Sequence, residues 1–387
     1  MTPHTSFDHH MMGIALVMAR HGLGRTAPNP SVGAVVTDPA PGEVIARATT
    51  AEGGRPHAET IALESAGRLA RGATLYVTLE PCSHHGATAP CADAIVAAGI
   101  SRVVCAILDP DPRVAGRGLD KLRAAGITVE RGLRAAEAAW VTRGHIVRVT
   151  ERRPFVQLKL ALAANGSVPR GQDGAAHFVT SAQARASGHM MRAQTDAILA
   201  GCGTVRADNP ALTCRLPGLE GRSPIRVVLA RHGLELGGTR LAATAGAVAL
   251  MVFTGPDARA DTIADMRRHG ADIRAAQEVG SMLWLPSVLE QLAADGITRL
   301  LVEGGPGIWR AFASAGLVDE VVLFVAGAHA LSDAVALDYA GRQLGPLPLA
   351  VTDRRRLGPD GVWHLAVNPT MGSRGQVPWS SPSSSKP

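Results

Sequence analysis

Two short segments, Pro56-His57-Ala58-Glu59 and Glu80-Pro81-Cys82-Ser83-His84-His85-Gly86-Ala87-Thr88-Ala89-Pro90-Cys91, decide how the rest of the chain is read. His57 opens a helix-like run, and Pro81-Cys82 follows a strand-like Thr74 to Leu79. One imidazole and two thiolates suit zinc and leave a fourth tetrahedral position for water, the ligand count of a catalytic centre rather than a structural one. Zinc brings the ionisation of water from about 16 to about 7, which supplies a hydroxide-like nucleophile at neutral pH. Glu59, in the first turn after His57, reaches that water without ligating the metal. It is therefore the candidate acid/base group.

Outward from these motifs the first half alternates β-branched runs with helical ones. An amphipathic start (Met11, Met12, Ala15, Leu16, Met18, Ala19) leads through Pro28-Asn29-Pro30 to a strand at Val32 to Val36. A helix from His57 to Leu69, the strand Thr74 to Leu79, a helix from Cys91 to Ala98 and a strand Val103 to Leu108 follow. This βαβ rhythm predicts a sheet sandwiched by helices. A last helix, Arg131 to Arg153, closes the unit.

The rhythm restarts at Phe155. Strands are expected at Val156 to Leu162, Asp196 to Ala200, Ile225 to Leu229, Val248 to Phe253 and Arg299 to Val302. Helices are expected at Ser181 to Ala193, opened by a Thr180/Ser181 cap, at Asp261 to His269, at Ser287 to Ala294 and at Ile308 to Ala315. Two glycine-bearing loops stand out, Gly201-Cys202-Gly203-Thr204-Val205 and Glu303-Gly304-Gly305-Pro306-Gly307. Glycines at strand-to-helix turns let a phosphate approach the backbone, and neither loop is the G-x-G-x-x-G fingerprint. Arg192 and Arg215 are candidate fork-like grips on a phosphate, and Asp208 lies in a polar stretch. From about residue 368, Ser, Pro, Gly and Lys predict a disordered tail. The organisation read is 1–150, 151–368 and a tail at 369–387.

Composition narrows the class. The 387 residues are 46% hydrophobic and 19% charged, a globular balance, with aromatics only 3%. The formal charge of +6 is scattered without a basic run, which suits small anionic ligands better than nucleic acid. Two Tyr, six Phe and five Trp do not interleave with Lys or Arg as a single-strand binder would require. Apolar stretches such as Leu241 to Phe253 are shorter than the roughly 18 to 20 residues of a membrane helix. With no secretion signal at the N-terminus and five cysteines, an odd number, the expectation is a cytoplasmic protein without a disulfide framework.

An H-x-E motif followed by P-C is the signature of the zinc deaminases. The run Thr26-Ala27-Pro28-Asn29-Pro30-Ser31-Val32-Gly33, the two quoted segments, Asp109-Pro110-Asp111-Pro112 and Val114-Ala115-Gly116-Arg117-Gly118 together resemble the deaminase half of the bifunctional deaminase/reductases of riboflavin biosynthesis. The loop separating Cys82 from Cys91 sets that family apart from deaminases with a C-x-x-C pair. The second half resembles the reductase half of the same family at Leu158-Lys159-Leu160, Phe178-Val179-Thr180-Ser181, Gly203 to Thr213 and Val302-Glu303-Gly304-Gly305-Pro306. The two matches run from about Met11 to about Val325.

The resemblance implies an α/β chain: an N-terminal cytidine-deaminase-like α/β/α sandwich followed by a dihydrofolate-reductase-like domain. It implies zinc on His57, Cys82 and Cys91, Glu59 as proton shuttle, and Asn29 beside the substrate. It sets NADPH against Leu162, Phe178, Thr204, Asp208, Gly305, Pro306 and Gly307, and the ribose phosphate substrate against Ala176, Arg192, Leu212, Arg215 and Glu303. The substrate class is a phosphoribosylated pyrimidine, with no nucleic-acid or membrane partner, and at least a homodimer is expected. The activities implied are zinc-dependent hydrolytic deamination followed by NADPH-dependent reduction of the ribosyl side chain. The chain departs from the family pattern at Ala87 (usually Arg or Lys), Ala89 (Pro), Thr50 (His), Phe178 (Trp) and Ala163-Ala164-Asn165-Gly166 (Ser-Leu-Asp-Gly). An alternative is a paralogous deaminase for another base with an impaired reductase half.

Overall fold

Apolar runs punctuated by Gly and Pro build two large sheets and a small ribbon in the computed structural model, which describes residues 4–38, 43–84, 89–169 and 179–367. The first half contains α1 (Ser6–His21), β1 (Gly33–Thr37), β2 (Val44–Thr49), α2 (Ala58–Ala66), β3 (Thr74–Val77), α3 (Cys91–Ala98), β4 (Arg102–Cys105), α4 (Arg117–Ala124), β5 (Thr128–Arg131) and α5 (Ala135–Glu151). Its five strands lie in the order β2-β1-β3-β4-β5. β1 is antiparallel to both neighbours, and β3, β4 and β5 run parallel.

A capping box starts α1: the Thr5 hydroxyl accepts from the Asp8 amide at 3.1 Å, and the Asp8 carboxylate accepts from the Thr5 amide at 2.8 Å. The helix lays Met11, Met12, Ala15, Leu16 and Ala19 on the sheet. Burying a side chain such as Leu16 contributes about 1.5–3 kcal/mol, and Leu16→Ala would cost about 2–5 kcal/mol. The close fit depends on Gly33, where a Cβ would lie 1.8 Å from the Ala15 carbonyl oxygen.

The second half comprises β6 (Phe155–Leu162), α6 (Ala182–Ala193), β7 (Ala197–Gly201), α7 (Cys202–Asp208), β8 (Ile225–Leu229), α8 (Arg240–Ala243), β9 (Leu250–Thr254), α9 (Ala260–Arg268) and β10 (Asp272–Ala275). It continues with β11 (Glu278–Val279), β12 (Met282–Leu283), α10 (Leu285–Ala294), β13 (Arg299–Val302), α11 (Pro306–Ser314), β14 (Glu320–Val325), α12 (Asp333–Leu344), β15 (Leu349–Leu357) and β16 (Asp360–Val367). The nine-stranded sheet is ordered β10-β9-β8-β7-β13-β6-β14-β16-β15. All strands from β10 to β14 in that order are parallel, and β16 and β15 add an antiparallel hairpin. The chain leaves β6 toward β7, then returns to insert β13 between them. That reversal opens a crevice at the carboxyl ends of β6, β13 and β7, where open α/β sheets bind ligands.

Several expectations need correction. β2 was not foreseen, because its buried face is made of small Ala46 and Ala48 rather than large apolar residues. The helix expected from Arg131 begins at Ala135, and Thr128–Arg131 is instead a parallel strand on the free edge of β4. The loop expected at Gly201 to Val205 is the first turn of α7, so Asp208 ends a helix rather than lying in a polar loop. α4 carries only Leu119 and Leu122 as large buried apolar residues, too few for a periodic signal.

α5 runs from the first sheet to the second. Arg143 donates to Glu320 at 2.6 Å, and Arg148 donates to the carbonyl oxygens of Ala293 at 2.9 Å and Pro28 at 3.2 Å. Among the described residues no helix is long and apolar enough to cross a membrane.

Candidate active sites

His57 is the residue before α2 and Glu59 lies in that helix's first turn, while Cys91 is the first residue of α3. Two helix N-termini therefore converge on the Pro81-Cys82 turn, and their partial positive charge favours thiolate. The Cys91 amide donates to the Cys82 sulfur at 3.2 Å. His57 Nδ1 stands 3.3 Å from Cys91 Sγ and 3.7 Å from Cys82 Sγ, and the three ligand atoms all lie within 4.8 Å of one another. Ligand bonds of about 2.0 and 2.3 Å at tetrahedral angles put nitrogen and sulfur about 3.6 Å apart. The trio therefore fits zinc without rearrangement.

The protonation of the site follows from its closeness. The Cys91 thiol and His57 hold the Cys82 thiol down at about 4, while the bond to Cys82 and burial push Cys91 up. Burial pushes the Glu59 carboxyl up to about 7, against the pull of His57. Glu59 Oε2 is buried without a hydrogen-bond partner, the state expected of a carboxylate aimed at the water of the fourth position.

Asn29 Nδ2 lies 3.5 Å from His57 Nε2 and donates to the Gly54 carbonyl at 2.8 Å. Thr50, at the family's histidine position, supports this segment by accepting from the Val32 amide at 3.0 Å and donating to the Pro30 carbonyl at 3.2 Å. Ala87 lies outside the described residues.

In the second half the crevice gathers charged groups from distant segments. Arg192 of α6 closes its guanidinium on Glu303, just after β13, at 2.8 and 2.9 Å, and on the Thr213 carbonyl at 2.9 Å. Lys159 of β6, a site residue that sequence reasoning did not single out, sets its Nζ 3.6 Å from Glu303. Its signal was a lysine in a strand whose only other polar residue is Gln157. Burial alone would raise the Glu303 carboxyl, yet Arg192 and Lys159 hold it at about 2.

The Arg215 side chain is exposed, with its backbone amide donating to His189 Nδ1 at 3.3 Å. Burial, Arg192 and Arg240 hold its guanidinium below the usual arginine range. Leu212 is buried with φ +54°, a left-handed conformation that a branched residue keeps only where surrounding structure enforces it.

Leu162 ends β6, buried, and Thr204 lies in the first turn of α7. Asp208 is exposed at the other end of α7, about 9 Å along the helix from Cys202. Gly305 caps α11, with Pro306 and Gly307 in its first turn, and a Cβ at Gly305 or Gly307 would meet nothing within 4 Å. Open space before a helix N-terminus leaves room for a phosphate. Asn165 Oδ1 accepts from the Ser167 amide at 3.0 Å, a turn bond that the family's aspartate would make equally well. Ala176 and Phe178 lie outside the described residues.

Two family models match the chain along these lines: the cytidine and deoxycytidylate deaminase zinc-binding region over residues 5–107, and the RibD C-terminal domain over residues 154–328. Fold and site thus define a zinc-binding deaminase joined to a reductase that uses NADPH. The riboflavin biosynthesis protein RibD of Escherichia coli K12 is 38% identical over 92% of this chain and 99% of its own length. The solved Acinetobacter baumannii RibD is 31% identical with a TM-score of 0.78, covering 93% of this chain and 99% of that one. A Thermotoga maritima diaminohydroxyphosphoribosylaminopyrimidine deaminase/5-amino-6-(5-phosphoribosylamino)uracil reductase is 34% identical with a TM-score of 0.76, covering 94% and 99%. The chain belongs to the RibD family, the bifunctional deaminase/reductases of riboflavin biosynthesis.

Proposed function

We propose that residues 1–150 deaminate 2,5-diamino-6-(5-phosphoribosylamino)pyrimidin-4(3H)-one and that residues 151–368 reduce the resulting 5-amino-6-(5-phosphoribosylamino)uracil to its ribityl form. The observation that carries this reading is the His57, Cys82 and Cys91 trio with the unpartnered Glu59 Oε2 beside it. When bound there, zinc supplies a Lewis acid that brings the ionisation of water near neutrality. Glu59 takes the proton from that water and returns it to the departing amine, a role suited to a carboxyl whose hold on a proton is strengthened by burial. Asn29, beside the imidazole, orients the pyrimidine edge.

NADPH supplies the hydride of the second step, and the open turn at Gly305 to Gly307 is where its phosphates would rest, with Leu162, Thr204 and Asp208 along the crevice. Arg215 grips the ribose phosphate. Glu303 is kept ionised by Arg192 and Lys159 and accepts from substrate hydroxyls, with the Lys159 ammonium 3.6 Å away as a second cation beside it. Both substrates are charged, water-soluble molecules, which fits the cytoplasm.

The test is metal analysis combined with two assays, ammonia release from the diaminopyrimidinone and NADPH oxidation on the deaminated product. One zinc per chain and both activities are expected. Zinc with ammonia release but no NADPH oxidation would replace this reading with that of a deaminase whose reductase half is impaired.

A further inference from the structure

Glu80 takes no part in the chemistry just described, yet its carboxylate is buried two residues before the ligand Cys82. Both of its oxygens are filled from one distant segment. Oε2 accepts from the amides of Asp109 at 3.3 Å and Gly116 at 2.9 Å, and Oε1 from those of Gly118 at 2.9 Å and Leu119 at 3.3 Å. Gly118 and Leu119 lie in the first turn of α4, whose own cap residue, Gly116, offers no side-chain bond. Glu80 thus supplies from across the fold the acceptors that a helix normally finds in its own N-cap residue, at the end where the helix favours negative charge.

The fit between the two segments leaves no slack. A Cβ on Gly118 would fall 2.0 Å from the Pro81 carbonyl oxygen. The ligand turn is pinned on its other sides as well, because the Glu80 amide donates to the Ile107 carbonyl at 3.0 Å and the Ala92 amide to the Cys82 carbonyl at 3.1 Å. The far end of the loop is tied down too, since Asp109 Oδ1 accepts from the Asp111 amide at 2.9 Å and pairs with His145 Nε2 of α5 at 2.9 Å. Gly116 sits at φ +89°, where a side chain able to cap α4 locally would be strained, so the acceptors come from Glu80 instead. Because that carboxylate stands two residues before Cys82 and Gly118 abuts the Pro81 carbonyl, the bonds that cap α4 also fix the position of the Cys82 turn.

We propose that Glu80 is a positioning residue of the deaminase: by capping α4 from across the fold it sets the Cys82 sulfur in register with His57 and Cys91. This rests on the deaminase reading of the trio. In Glu80→Gln the amide group would face two backbone N–H donors and could satisfy only one side of the clasp.

The full-length zinc enzyme and its cobalt-substituted form are the samples for the test. Glu80→Gln should release metal to a chelator about 10- to 100-fold faster, shift the thiolate-to-cobalt absorption bands, and lower the deamination kcat about 10- to 100-fold, while KM and NADPH-dependent reduction stay near wild type. Gly118→Ala presses on the Pro81 carbonyl from the opposite side and should shift the same bands, and it decides the matter if Glu80→Gln does not fold. Wild-type bands, release rate and kcat in Glu80→Gln, even with a lowered Tm, would reduce Glu80 to a helix cap and overturn the proposal. A wild-type enzyme that binds zinc but releases no ammonia would defeat the functional reading instead, and the cobalt bands would still decide the role of Glu80.

Discussion

The two sites of this chain are assembled on opposite principles. The candidate deaminase centre draws its three possible metal ligands from two short motifs, with His57 and Cys91 at helix starts and Cys82 in the turn after β3, a donor set that fits zinc. The reductase crevice draws Lys159, Arg192, Arg215 and Glu303 from four segments, and much of its charge is neutralised within the protein before any substrate arrives. Chemistry is therefore far easier to read from sequence at the first site than at the second. A metal centre announces itself by ligand type, whereas an organic-substrate site is made of common residues that only the fold brings together.

If the two sites work independently, the sharpest break between them is at Glu59. Glu59→Gln keeps the shape of the side chain and removes the proton shuttle, so deamination should fall about 10²- to 10⁴-fold. Zinc content and reduction of the deaminated uracil should stay at wild-type levels. Parallel loss of reduction, measured as NADPH oxidation on that product, would show that the sites are coupled and that the contrast between them is false.

The same contrast explains what the sequence made legible. His57, Glu59, Cys82 and Cys91 could be read as a zinc centre because their residue types are rare in combination and their strand and helix contexts are strongly patterned. Arg192 looked from the sequence like a free phosphate fork, but its partner Glu303 lies on another strand end, and no local pattern links positions 192 and 303. Lys159 was visible as a residue and invisible as a site member for the same reason. β2 and α4 escaped because small or sparse apolar residues cover their buried faces. The clasp of Glu80 on residues 109–119 depends on backbone amides, which carry no sequence signal at all.

The neutralisation argued for the second site is tested at Glu303. Glu303→Gln leaves Arg192 and Lys159 with no anion, and removing one partner of a buried ion pair costs about 3 kcal/mol or more. The unfolding free energy should fall by that amount, and NADPH oxidation should be lost while ammonia release persists. The pH dependence has a definite sign. The folded carboxyl sits at about 2 against an ordinary value of 4.5, so its stabilisation is complete above about pH 4.5 and is lost as pH falls toward 2. That loss amounts to about 3 kcal/mol in wild type, and denaturant unfolding curves of the variant should be flatter over the same window.

The smallest effect belongs to Arg215, and it asks whether any positive charge in the crevice is left for the substrate. Arg192 is closed on Glu303, whereas the Arg215 side chain is exposed, with its pKa depressed by partial burial and then by Arg192 and Arg240, a charge repulsion that an incoming phosphate would relieve. A charge-assisted hydrogen bond contributes about 1.5–3 kcal/mol, so Arg215→Met should raise the reductase KM about tenfold or more. kcat should change little, because the phosphate is remote from the carbon that receives hydride and is held equally in ground and transition states. The wild-type KM should also rise with ionic strength more steeply than that of the variant. An unchanged KM would mean that the reductase site takes its substrate without Arg215, and the phosphate grip would then have to come from Lys159 or Arg192 after release from Glu303, making the internal neutralisation a latch rather than a fixed feature.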